Sequence, residues 1–339
     1  MHNLEEIHIE RSIKDKFTKE VFLEAAGRFG INFADTIELD GFQNFVFLGK
    51  RNSIEVILRI AHSSHRSKDL TLAEIEFISY LADSGMTVSK ALLSNQGEYV
   101  EVIEQAENSF VVTAFEFAPG RRAEICVESD IFYERIGRFT GKMHKLSKQF
   151  SPIQKRYDWN DNAALTKFQN YVPNELLQKK LELLISQIQS LSRDRDSFGL
   201  IHGDISPGNY LNHEDHPSII DFDQCEYSWF ASEIATSIFH ETPIPFIIPD
   251  ENTRKAVAKR FFSNFYQGYS KENTLSHSSL EAIPLFINLR QAIVIGLKYR
   301  SLDMGNFDNW NDFSKAALTF NINNLINDIP YIDLDFTSL

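Results

Sequence analysis

The sequence predicts an α+β chain in two lobes: a small β-sheet lobe carrying one or two helices, then a larger and mostly helical lobe. Three observations carry this expectation. The chain has 339 residues, more than one minimal core needs. Short β-type apolar runs concentrate before residue 118, whereas apolar residues at helical spacing dominate after it. Between them stands Pro119-Gly120, a natural break. The division expected is therefore 1–118 and 119–339, with no internal repeat or low-complexity linker.

The elements follow in order. Residues 11–34 read as helix, because Ile13, Phe17, Val21, Phe22 and Ala25 recur at helical spacing before Gly27 and Gly30. Ile37 to Leu39, Phe45 to Leu48 and Val56 to Ile60 read as strands, the last two joined by a polar turn at 50–53. Residues 70–83 return to helical period through Leu72, Ile75, Ile78 and Leu81. Val100 to Ile103 and Phe110 to Phe117 make a further strand pair. Beyond Gly120, residues 130–147 and 174–191 carry apolar stripes such as Phe132, Ile136, Met143 and Leu177, Leu181, Leu184, Ile188. A loop–strand–turn–strand segment follows. Helices are expected over 230–240, 251–270, 278–302 and 311–327.

Composition narrows the function. The chain is 43% hydrophobic and 24% charged, with 28 phenylalanines, as a packed globular protein with a Phe-rich core would be. Its formal net charge of −13 argues against a nucleic-acid partner, whose phosphates need clustered Lys and Arg. The same charge favours a cationic small molecule. Two cysteines, Cys126 and Cys225, lie far apart outside any CxxC pattern, so neither a disulfide framework nor a thiolate zinc site is expected. Residues 1–6 have no basic start leading into an apolar core, and the apolar stretch Ala282 to Leu297 is interrupted by Asn288, Arg290 and Gln291. Neither a signal peptide nor a membrane partner is expected, and a cytoplasmic protein is.

The chemistry concentrates in Leu200-Ile201-His202-Gly203-Asp204-Ile205-Ser206-Pro207-Gly208-Asn209 and in Ile219-Ile220-Asp221-Phe222-Asp223. Asp204 and Asn209 stand five residues apart across a Pro-Gly loop, and Asp221 follows twelve residues later. Two-lobed kinases build phosphoryl transfer from such parts: one Asp orients the hydroxyl, while an Asn and a second Asp hold Mg²⁺. With His202-Gly203-Asp204 in place of His-Arg-Asp, the chain resembles the aminoglycoside phosphotransferase / choline kinase / homoserine kinase-like superfamily, distant relatives of the protein kinases.

That resemblance implies a protein-kinase-like fold, ATP and Mg²⁺ as cofactors, and a small-molecule hydroxyl as acceptor. It implies Asp204 as the catalytic carboxylate and Asn209 and Asp221 as metal ligands. His202 would brace the loop. Arg59, in Val56-Ile57-Leu58-Arg59, takes the place of the strand lysine on the ATP phosphates, with Glu74 as its ion-pair partner and Glu76 as the alternative. Gly41 and Asn44, in Asp40-Gly41-Phe42-Gln43-Asn44, resemble the family's phosphate-covering turn. Glu116 to Ala118 would pair with the adenine edge, with Phe115 or Phe117 against the ring. Asp223, where protein kinases have glycine, would assist the metal, contact a cationic substrate or merely form a turn. Trp229, Phe230, Glu233 and Arg290 are candidates for the acceptor site, Glu233 alternatively as an anchor of the catalytic loop. Arg290 calls for a substrate carboxylate or an internal acid. It inclines the choice among amino alcohols, homoserine-like amino acids and aminoglycosides towards a metabolic acceptor. His144 resembles a structural helix-end histidine of the family.

His213-Glu214-Asp215-His216 reads as a solvated hairpin tip rather than a metal cluster. Two other functions stay open: a bacterial protein Ser/Thr kinase of the same fold, and a nucleotide-binding regulator without turnover. A regulator of that kind normally lacks one of Asp204, Asn209 or Asp221, and all three are present.

Overall fold

The structure, a computed structural model, describes residues 9–39, 41, 43–301 and 310–338. Residues 1–6, Asp40 and Phe42 of the glycine turn, and the last residue of the helix expected over 278–302 lie outside these. The chain is mixed α+β and forms two compact units. Residues 7–119 with 150–156 make one, and 120–149 with 157–339 belong to the other.

In the first unit, β1 (Ile37–Leu39), β2 (Asn44–Arg51), β3 (Ile54–His62), β4 (Ala91–Leu92), β5 (Glu101–Glu104) and β6 (Ser109–Glu116) form an antiparallel sheet in the order β1-β2-β3-β6-β4, with β5 also on β6. The β2–β3 hairpin turns through Asn52 and Ser53, both left-handed (φ 51° and 67°), as a tight two-residue turn requires. The helix expected over 11–34 is broken into α1 (Arg11–Lys14) and α2 (Lys19–Arg28). Thr18 is the reason: its hydroxyl accepts the Val21 N–H and caps the second helix. Phe17, in the break, stacks on Phe45 at 3.8 Å.

Strand alternation decides the two faces. Val56, Leu58, Ile60, Phe110 and Val112 join Phe22 and Ala25 of α2, and Phe29 just beyond it, in one core. Arg59 and Val111 therefore face the other side, where α3 (Lys68–Asp83) packs through Ile75 and Leu72. Ser67 starts α3 by accepting the Leu70 N–H. Residues 150–156, remote in sequence, complete this unit. Phe150 packs on Phe77 and Tyr80, the Glu76 carboxylate accepts the Ile153 and Gln154 N–H groups, and Arg156 donates to the Leu70 carbonyl. A single boundary at 118/119 does not contain this excursion.

The second unit is built on α4 (Asp130–Ser147), α5 (Ala163–Thr166), α6 (Phe168–Tyr171), α7 (Glu175–Gln189), α8 (Phe230–Glu241), α9 (Glu251–Tyr269), α10 (His277–Glu281), α11 (Ile283–Ser301) and α12 (Asp312–Asn327). Helices α4 and α9 touch backbone to backbone. A Cβ on Gly137 would lie 1.8 Å from the Phe265 carbonyl oxygen, and one on Gly268 would lie 1.8 Å from that of Glu134. The apolar stretch that includes Arg290 is α11, packed against α7, α8 and α12 as a core helix. Five short strands finish the unit. β7 (Arg121–Arg122), β9 (Tyr210–His213) and β10 (His216–Ile219) form one sheet, and β8 (Phe198–Ile201) pairs with β11 (Glu226–Trp229). The β9–β10 turn is Glu214-Asp215, both left-handed.

Candidate active site

The loop after β8 is fixed from below. Gly203 has φ +82°, and a Cβ there would lie 2.5 Å from the Gln224 carbonyl oxygen, so a side chain has neither the conformation nor the room. His202 is buried; its Nε2 bonds the Ile220 carbonyl at 3.0 Å and its Nδ1 accepts the Asp204 N–H at 3.2 Å. Those partners select the neutral Nε2–H tautomer. Glu233, buried on the first turn of α8, accepts the N–H groups of His202 (2.6 Å), Gly203 (3.1 Å) and Ile205 (3.4 Å). His144 lies beside it, stacked on Phe230 and bonded through Nδ1 to the Tyr269 hydroxyl. Burial pushes the His144 imidazole below its ordinary pKa, although Glu233, 3.9 Å from its Nε2, pulls the other way.

Above this base stands the Asp204 carboxylate, with both oxygens engaged. Asn209 Nδ2 donates to Oδ2 at 2.7 Å and to the Asp204 carbonyl at 3.0 Å. Arg290 Nη2, from α11, donates to Oδ1. The guanidinium is held in turn by His240 on α8, whose Nε2 lies 3.1 Å from Nε and 2.8 Å from Nη2. The hairpin brings Asn209 and Asp221 together. Tyr210 faces Ile219, and the Ile220 N–H donates to the Asn209 carbonyl at 2.9 Å, so Asn209 and Asp221 emerge at its open end.

Asp221 is exposed and left-handed, at φ 61° and ψ 68°. Among the described residues no group of three His, Cys, Asp or Glu side chains is placed to hold a metal. An amide oxygen and one carboxylate nonetheless fit Mg²⁺, which keeps waters and takes phosphate oxygens for the rest of its shell.

In the first unit, Arg59 Nη1 and Nη2 meet the Glu74 carboxylate at 2.8 and 2.7 Å, both side chains buried. Glu76 is not the partner of Arg59; it accepts the two backbone N–H groups at 153 and 154. The Arg59 guanidinium also covers the Phe115 ring at 4.9 Å, leaving Phe117, which is exposed, as the aromatic side chain near Glu116–Ala118 with an open face. Gly41 faces the Asn44 backbone so closely that a Cβ would lie 2.1 Å from its carbonyl oxygen, and Asn44 is buried at the start of β2.

Several expectations are corrected. Trp229 belongs to the core, packed against Trp159, Phe198 and Phe286 with its indole N–H on the Ser192 carbonyl. It is not placed as an acceptor contact, and neither is Phe230, buried against His144. Glu233 anchors the loop. Arg290 has its internal acid in Asp204, which removes the reason for requiring a carboxylate on the acceptor. Asp223 is buried on the short helix Phe222–Gln224. Two groups escaped the sequence reading. His240 has no local motif and reaches Arg290 only because α8 packs on α11. Glu241 is buried with Tyr210, Tyr133 and the Cys126 N–H around its carboxylate, and burial pushes its pKa up to about 7 against those donors.

Residues 38–269 match the phosphotransferase enzyme family. Amicoumacin kinase of Bacillus subtilis (strain 168) is 31% identical over 98% of this chain and 99% of its own length. The structure of the amicoumacin kinase hAmiN in complex with AMP-PNP, Ca²⁺ and Ami superposes with a TM-score of 0.87 at 26% identity, covering 97% of this chain and 99% of that one. A microcompartment-associated aminopropanol kinase shares the fold, with a TM-score of 0.73 at 17% identity over 93% of this chain and 100% of that one. The chain belongs to the phosphotransferase enzyme family and is a small-molecule kinase.

Proposed function

We propose that the protein transfers the γ-phosphate of ATP, with Mg²⁺, to a hydroxyl of amicoumacin or a compound of its class. The observation that carries the reaction is Asp204, gripped at both oxygens on a loop whose neighbours Asn209 and Asp221 share one hairpin end. The acceptor class rests on full-length similarity to two amicoumacin kinases.

In this reading the acceptor hydroxyl binds Asp204, its oxygen forms a bond to the γ-phosphorus, and the bond to the bridging oxygen of ADP breaks. Asp204 receives the hydroxyl proton. A loose transition state asks for orientation more than basicity, which suits a carboxylate already hydrogen-bonded twice. Asn209 and Asp221 would hold Mg²⁺, which supplies charge neutralisation to the phosphates when bound. Arg59, kept in one rotamer by Glu74, is assigned to the ATP phosphates. Gly41 and Asn44 are assigned to the turn over the phosphates, and the backbone of Glu116 to Ala118 to adenine.

The test is ADP release from Mg²⁺-ATP with amicoumacin, amino alcohols, homoserine and aminoglycosides as separate acceptors, and Asp204→Asn as control. Phosphorylated amicoumacin, absent with the variant, is the expected result. Transfer to another acceptor alone would reassign the substrate, and no release above the control with any acceptor would overturn the kinase reading.

A further inference from the structure

We propose that His240 is a positioning residue for phosphoryl transfer: its Nε2 lone pair holds the Arg290 guanidinium, and Arg290 fixes one oxygen of Asp204. This rests on the kinase reading above and adds a residue to its machinery.

The geometry carries the argument. Two N–H groups of one guanidinium, Nε and Nη2, converge on a single imidazole nitrogen at 3.1 and 2.8 Å. A nitrogen receiving both must present a lone pair, so His240 stands as the neutral Nδ1–H tautomer. Arg290 is a long side chain with several free torsions, and it needs such a second restraint to hold one place. The restraint reaches the reacting group at once, because the same Nη2 binds Asp204 Oδ1 while Nη1 lies 3.5 Å from the Gly203 carbonyl.

Asn209 occupies Asp204 Oδ2. With both oxygens bonded to partners on different elements, the carboxylate cannot turn about its Cβ–Cγ bond. The Asp204 side chain is part-exposed, and an acceptor hydroxyl then meets it in a single orientation. Remove His240 and Arg290 is free to swing away. Oδ1 loses its partner, and the carboxylate turns while Asn209 stays in place.

The experiment compares His240→Phe, His240→Gln, Arg290→Met and the His240→Phe/Arg290→Met double variant in the full chain, reading kcat, the KM for ATP and the thermal midpoint. We expect His240→Phe to lower kcat about 10- to 100-fold with the KM for ATP within about twofold, the scale of small misplacements at a reacting group. Gln, whose amide oxygen still accepts from a guanidinium, should recover most of that loss. The double variant should be no slower than Arg290→Met, because two residues acting through one contact are not additive.

An unchanged kcat in His240→Phe, additive losses in the double variant, or a Gln variant as slow and as destabilised as Phe would each overturn the proposal. If the wild type phosphorylates nothing, the functional reading fails separately. The arrangement is then judged by ¹⁵N NMR of the His240 ring above pH 7. An unprotonated Nε2 whose resonance moves on Arg290→Met supports it, and a protonated Nε2 refutes it.

Discussion

Glu233→Gln isolates the cost of holding the catalytic loop. The change conserves volume but removes the charge from a buried carboxylate that accepts three backbone N–H groups, those of His202, Gly203 and Ile205. Hydrogen bonds to a charged group contribute about 1.5–3 kcal/mol each, and a donor left buried without a partner costs about 1–3 kcal/mol. The amide keeps one acceptor oxygen and turns an NH₂ towards donors. The net loss should therefore be about 3–5 kcal/mol, the range for breaking a buried charge partnership.

For a domain of about 150–250 residues that corresponds to a fall in thermal midpoint of roughly 6–20 °C. The loop should also lose its register, and kcat should fall on the order of 100-fold, since small displacements at the reacting carboxylate are that costly. The assay pairs thermal unfolding with ATP turnover on the same sample. A midpoint unchanged within about 2 °C, at most about 1 kcal/mol for such a domain, together with wild-type kcat would refute the assignment of Glu233 as the anchor.

Other expectations follow from the same contacts. Asp204→Asn should abolish turnover while ATP affinity, measured by calorimetry, stays close to wild type. Arg59→Met should destabilise the first unit by about 3–5 kcal/mol because Glu74 is left as a buried, unpaired charge, whereas Arg59→Met/Glu74→Leu should recover most of the stability and none of the activity in denaturant titration and turnover assays. Glu241 gives a pH dependence. Its folded pKa is raised to about 7 by burial, so the folded state holds a proton that the unfolded chain releases near the ordinary carboxylate value. Stability should accordingly decline as pH rises from about 4.5 to about 7 and level off above, and Glu241→Gln should flatten that slope in urea midpoints taken across this range. Gly203→Ala should fold poorly, since it combines a left-handed backbone with a 2.5 Å clash on Gln224.

The readable part of the molecule was the part encoded locally. Residues 202–209 and 219–223 carry their chemistry in contiguous chain, so loop and hairpin followed from spacing. Arg59 is legible through its resemblance to the strand lysine of kinases, and the structure gives the physical reason for its direction: with Leu58 and Ile60 in one core, its side chain faces α3. Helix starts were less visible where one hydroxyl decides, as Thr18 does. What was not legible depends on packing between distant helices. Arg290 reads as a buried charge needing a partner, but only the crossing of α8 and α11 supplies Asp204 and His240. Trp229 failed for the converse reason: an aromatic side chain near the motif reads the same whether it faces a ligand or Trp159 and Phe286. The phosphotransferase fold was legible as a class, while the acceptor left no contiguous trace.

The return of residues 150–156 to the first unit has a consequence for how the protein is made. A chain emerging from the ribosome has synthesised all six strands of the first sheet by residue 119, yet Phe77, Tyr80, the Glu76 carboxylate and the Leu70 carbonyl still lack the segment that covers them. That segment lies beyond the whole of α4, so at about 5–20 residues per second the unit waits on the order of a few seconds for its last piece. During that interval α4 is already in existence without α9, its backbone-contact partner a hundred residues further on. The two units are thus interleaved in time, and a fragment ending at 119 would hold the whole sheet but leave this face of α3 uncovered.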